Sequence, residues 1–172
     1  MGVGVRPTQL VPLPFRLQSA TGRKNPYLRV GQILQLDDES QYLMTFSSEC
    51  SLFADKDQQK LIFHYDYKRE PDEPYPSAHV QIHGVSDHLQ YLCGTEDVGK
   101  QLEHFHFPVG GRRYRPSFED VVEFLIIEEL ASPNDGWKDV VTEHREVWER
   151  RQLAAAVRRD PETARRALDE AD

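Results

Sequence analysis

The strictest pattern in the chain is the alternation over Lys60 to Arg69, where Leu61, Phe63, Tyr65 and Tyr67 take turns with Ile62, His64, Asp66 and Lys68. Side chains on a β-strand leave opposite faces with a period of two, so this segment predicts a strand whose odd positions face a core. The flanking segments repeat it. Leu28, Val30, Leu34 and Leu36 share one parity. After the polar Asp37 to Ser40 turn, Tyr42, Met44 and Phe46 share another, which together reads as a hairpin. Glu70 to Ser77 is a loop of three prolines and three acids. Beyond it, Ala78 to Val85 alternates again, with Val80 and Ile82 inward and His79, Gln81 and His83 outward. Leu102 to Val109 reads as a further strand with Phe105, Phe107 and Val109 on one side and His104 and His106 on the other. Residues 1 to 26, with scattered Pro and Gly and the apolar stretch Leu10 to Leu17, predict at most one edge strand.

Helical signals follow. Gly110 and Gly111 end the last strand, and Arg112, Arg113 and Arg115 occupy a turn that closes at Pro116. Ser117 to Asp120 fits the S-x-x-[DE] capping box, and Phe118, Val121, Val122, Leu125 and Ile126 recur at helical spacing, so this helix should lie on the apolar face of the sheet. Ser132 to Gly136 breaks it. A longer helix is predicted from Trp137 to Arg159 with Val140, Val141, His144, Val147, Trp148 and Leu153 along one stripe. Asp160 as N-cap and Pro161 at the first helical position start a last helix ending near Ala171. The fold class is α+β: an antiparallel β-meander or curved sheet of about five to six strands, then two to three C-terminal helices. Residues 1–136 form the sheet with its packed helix, and 137–172 a helical extension of the same domain.

Composition narrows the function. The 172 residues suit one core. A hydrophobic fraction of 38% with 29% charged residues is that of an ordinary globular chain, and the mean hydropathy of −0.66 implies much polar surface. The net charge of −8 argues against a general nucleic-acid coat, which needs Lys and Arg to neutralise phosphates. No apolar run approaches the roughly 20 residues that span a bilayer. Met1 to Arg6 lacks the basic-then-apolar order of a secretory signal, and Arg6 stands where a myristoylation signal wants Ser or Thr, so a cytoplasmic protein without membrane attachment is expected. Cys50 and Cys93 have neither metal nor redox spacing and read as small core residues. From Trp137 onward, eight basic and nine acidic residues are interspersed, the pattern of a solvated helix or a protein-binding surface.

Five of the seven histidines, His64, His79, His83, His104 and His106, fall on the polar parity of the predicted strands, together with Asp66 and Gln81. Three strands side by side would gather them into one patch. His79 and His83, four residues apart, are separated by about 13 Å on a strand and cannot share a metal ion directly, and His104 and His106 by about 7 Å. No H-E-x-x-H or C-x-x-C spacing occurs. No metal ligand or cofactor is therefore assigned, and a metal would need ligands from different strands. Imidazole, with an ordinary pKa near 6.5, carries acid–base chemistry unaided. His83 with His104 or His106 is the first pair indicated, with Asp66 orienting a ring through its Nδ1 proton. In the Gly-Gly-Arg-Arg-Tyr-Arg turn, Arg112 and Arg113 suit a phosphate and Tyr114 a base.

These residues point to a phosphodiester-directed enzyme, with RNA or a nucleotide as partner because a 2′-hydroxyl can serve as nucleophile without a metal. The plain alternative is a solvated sheet face whose arginines pair with the acids of the next helix. A third reading is a non-enzymatic module that binds a protein through its C-terminal helices.

His79-Val-Gln-Ile-His83 resembles the alternating-histidine motif of the histidine-triad nucleotide hydrolases and transferases, with Gln81 where that motif has His. The two-histidine phosphoesterases need a hydroxyl that neither His79-Val-Gln nor His104-Phe-His supplies. The segment His106-Phe-Pro-Val-Gly-Gly-Arg-Arg-Tyr-Arg-Pro-Ser-Phe-Glu-Asp is similar to a pattern in a bacterial protein family. The sheet-then-helix layout is similar to that of small ribonuclease toxins of toxin–antitoxin pairs. These resemblances imply a bacterial origin and carry over no catalytic residue.

Overall fold

The computed structural model describes residues 15–19, 22, 24–36, 40, 43–71, 74–93 and 102–170. The stretch 1–14, most of the turn after Leu36 with Tyr42, the side chains of Cys93, Arg112 and Arg113, and Ala171 lie outside what it describes. Six strands form one antiparallel sheet in chain order. They are β1 (Phe15–Arg16), β2 (Tyr27–Leu36), β3 (Leu43–Phe53), β4 (Leu61–Lys68), β5 (Ala78–Ile82) and β6 (Phe107–Pro108). The α+β class is as the alternations predict.

Register assigns the two faces. Leu28, Leu52, Phe63 and Ile82 are successive partners across β2 to β5, as are Val30, Cys50, Tyr65, Val80 and Phe107 across β2 to β6. On the other face run Arg29, Ser51, His64 and Gln81, and beside them Gly31, Glu49, Asp66, His79 and Pro108. Between the pairs Ile33–Ser47 and Leu34–Thr45, β3 carries one extra residue, Phe46. This bulge takes Phe46 out of step with Met44.

The helices are α1 (Asp87–Cys93), α2 (Gly111–Tyr114), α3 (Phe118–Ile127), α4 (Trp137–Arg159) and α5 (Pro161–Asp169). The predicted capping box starts α3: Ser117 Oγ accepts from Asp120 N at 3.2 Å, and Asp120 Oδ2 accepts from Ser117 N at 2.7 Å. Such a cap contributes about 1 kcal/mol. Val121 and Leu125 then meet Leu28, Cys50, Leu52 and Phe63 in the core, and Phe124 meets Phe63 edge-on at 5.6 Å. The first half of α4 packs on α3 through buried Val141, and Arg145 holds Asp120 at 2.9 Å and also pairs with Glu123. Of the predicted α4 stripe, Val140, Val147 and Leu153 are exposed. Asp160 caps α5 as expected, accepting from Thr163 N at 3.0 Å. No described helix is long and apolar enough to cross a membrane.

One predicted strand is corrected. Leu102 to Val109 is a 3-10 turn over Leu102–His104 and then only the two residues of β6. Pro108 has no N–H to extend a ladder, which confines this segment to a short edge pairing. The helix α1 had no counterpart in the sequence reading.

Candidate functional site

Residues His64 and Asp66 leave β4 on the face opposite α3, and register sets Gln81 across from His64 and His79 across from Asp66. His83 follows β5, and its amide donates to Ile62 O at 2.7 Å, so the chain stays beside β4. The 3-10 turn then returns over this face. The Glu103 carbonyl accepts from Gln81 Nε2 at 2.7 Å, and the Glu103 carboxylate lies 3.2 Å from His83 Nδ1.

The histidines sort into two groups. The rings of His64 and His83 stand 5.8 Å apart. Separately, His79 meets the edge of His106 at 4.7 Å, and His106 is stacked on Tyr75 at 3.7 Å. His104, in the 3-10 turn, is exposed and shares no strand face with His106. The first-choice pair of His83 with His104 or His106 is thus replaced by His83 with His64. The predicted strand that should have carried His104 and His106 is a turn, and turns do not alternate.

Hydrogen-bond accounting fixes the protons. A carbonyl only accepts, so the Gln81 amide nitrogen faces Glu103 and its oxygen faces His64 Nε2 at 2.6 Å. His64 therefore carries a proton on Nε2. Asp66 Oδ2 is 3.4 Å from this same nitrogen, not from Nδ1 as the sequence suggested. His83 turns its Nδ1 proton toward Glu103, and His79 donates from Nδ1 to Pro76 O at 3.0 Å. In both rings the Nε2 lone pair is then the basic position.

Charge is arranged along the same face. Arg29 pairs with Glu49, donates to Gln58 Oε1 at 2.7 Å and lies 5.0 Å over the Phe53 ring. Burial raises the Glu49 pKa, but hydrogen bonds from Ser51 and Arg29, and the Arg29 charge, outweigh it and hold the carboxyl below its usual value. Asp66 is raised, first by burial and further by Glu49, against the opposing charge of His64. His106 is lowered, by burial and then by His79, against a hydrogen bond to the His104 backbone.

The arginine turn leads away from this face. Arg115 lies over the Tyr67 ring at 4.1 Å, and Tyr67 belongs to the core face. Arg112 and Arg113 stand in α2 with side chains outside the described residues, and Tyr114 is 83% exposed. Glu103, Tyr75, Arg29 and Glu49 were not singled out from the sequence. Only their placement across strands or turns joins them to the histidines. Among the described residues, no group of three His, Cys, Asp or Glu side chains is placed to hold a metal ion. The chain matches no protein-family model, no curated protein and no solved structure.

Proposed function

We propose that the histidine face is an acid–base centre acting on a phosphodiester, with RNA as the substrate class. The observation that carries this reading is the pair of rings, His64 and His83, 5.8 Å apart, with Glu103 3.2 Å from His83 Nδ1. A carboxylate behind Nδ1 holds the ring in one tautomer and stabilises the imidazolium that forms when Nε2 takes a proton. In the proposed step, His83 Nε2 accepts the proton of a ribose 2′-hydroxyl as its oxygen bonds to phosphorus. The P–O5′ bond breaks, and a protonated His64 gives its Nδ1 proton to the leaving oxygen. The products are a 2′,3′-cyclic phosphate and a free 5′-hydroxyl.

Tyr75 and His106, stacked beside this pair, form a π-surface suited to a base, a role Tyr114 shares in this reading. Arg112 and Arg113 remain the proposed phosphate contacts, and His79, Asp66 and His104 supporting groups of the face. In His83→Ala, cleavage of a short RNA should fall by about 10²- to 10⁴-fold, the range of a lost general base. Glu103→Gln should reduce it less. Parent-like cleavage by both variants would sink the proposal.

A second reading, a bacterial protein-interaction module, rests on a different observation: Leu153 and Leu168 on α4 and α5 are 66% and 70% exposed. If it holds, Leu153→Asp with Leu168→Asp should change the assembly state by light scattering and leave RNA cleavage untouched.

A further inference from the structure

On the opposite side of the sheet, β3 and β4 meet α3 and α4 across a cleft of about 70 Å³. Val30, Cys50, Val121 and Trp148 supply its apolar wall, and Tyr67 and Arg115 line the same space. Tyr67 is 3% exposed, and its buried hydroxyl has no hydrogen-bond partner among the described residues. A buried hydroxyl left unmatched is unfavourable by roughly 1–3 kcal/mol, so such a group in a cleft points to something that completes it. Beside it, the Arg115 guanidinium stacks over the Tyr67 ring at 4.1 Å and brings a positive charge to the same end.

The two acids that border the cleft do not cancel that charge at its floor. Glu49 and Asp66 turn their side chains to the histidine face, where they meet Arg29 and His64. What remains is a hydroxyl donor and a cation at one end of a half-apolar space. The volume is about that of two to three waters in the liquid, which admits a carboxylate group and little more, while the rest of a ligand would extend along the apolar wall.

We propose that this cleft binds the carboxylate end of a small aliphatic acid, with the Tyr67 hydroxyl donating to one oxygen and Arg115 providing the opposite charge. The site is independent of the histidine face, from which the sheet separates it.

The test is an NMR titration of the full chain with butyrate, following the Trp148 indole N–H, with butyramide as the neutral isostere. Butyrate should shift this resonance saturably, butyramide should not, and the histidine-face resonances should stay in place. Tyr67→Phe should weaken butyrate binding by about tenfold or more, as expected for a lost hydrogen bond to a charged group. Arg115→Gln should weaken it further. Equal responses to butyrate and butyramide, no saturation, or unchanged affinity in Tyr67→Phe would overturn the proposal. Thermal unfolding of ligand-free Tyr67→Phe supplies a separate reading. A Tm at or above that of the parent fits an unmatched hydroxyl, whereas a clear drop means that the hydroxyl is already satisfied and removes the reason for the site.

Discussion

Glu49 and Cys50 are neighbours in the chain on opposite faces of β3, and burial is the leading influence on both. On the core side nothing offsets it, and the Cys50 thiol is pushed up to about 12, with the Glu49 charge adding to the effect. On the histidine side, Ser51 and Arg29 answer the Glu49 carboxylate, and its pKa ends below the usual value despite the burial. The two faces therefore differ less in how much they exclude water than in the polar partners that register supplies. Ser51 makes the point by itself: it is 1% exposed on the polar face, and it donates to Glu49.

Substitutions at adjacent positions test this contrast most sharply. Leu52→Ala removes a side chain that is 0% exposed and should lower stability by about 2–5 kcal/mol, read as a shifted denaturant midpoint at constant slope. Ser51→Ala, one residue away, gives up one hydrogen bond and should lower it by about 1 kcal/mol. Equal losses would mean that both faces are packed alike.

The pH dependence separates Glu49 from Asp66 on the same face. Glu49 has a folded-state pKa below its unfolded value, so its contribution is fully present above the ordinary carboxylate range and is lost as pH falls through the lowered value. Asp66 has the opposite sign. Its raised folded-state value makes ionisation unfavourable to the fold at neutral pH, and this penalty disappears as pH falls below the ordinary aspartate value. Urea unfolding across pH 3 to 7, as a range of about four units, should therefore find Asp66→Asn relatively more stable than the parent at the neutral end. Glu49→Gln should be relatively less stable there. Profiles parallel to that of the parent in both variants would contradict this assignment.

The smallest effect belongs to the solvated part of α4. Arg150 pairs with Glu146 at 2.8 Å on an exposed helix surface, and Arg150→Ala should change stability by no more than about 0.5 kcal/mol. A larger loss would mean that this half of the helix is covered in solution.

Several elements were legible because their signals are local. The alternation of Leu61 to Lys68 is β4, the Ser117 to Asp120 box starts α3, and Gly136 and the Asp160–Pro161 pair bound α4 as read. Leu102 to Val109 misled because alternation of types does not by itself make a ladder. Pro108 lacks the donor that a longer strand needs, and the chain turns at Leu102–His104 instead. In the α4 stripe, helical spacing gathered Val140, Val147 and Leu153 on paper, but α3 and the sheet reach only far enough to bury Val141.

Side-chain period decided from the sequence alone which residues of β4 and β5 turn toward the core and which toward the opposite face, because parity along a strand is a property of the covalent chain. It could not decide which of those residues meet. Glu103 reaches His83 and Tyr75 reaches His106 only because a turn and a proline-rich loop fold back over the sheet. Arg115 is carried to the opposite side, over Tyr67. Those meetings depend on the direction in which a connection leaves its strand, which hydrogen bonding and packing across distant segments select and no local pattern encodes.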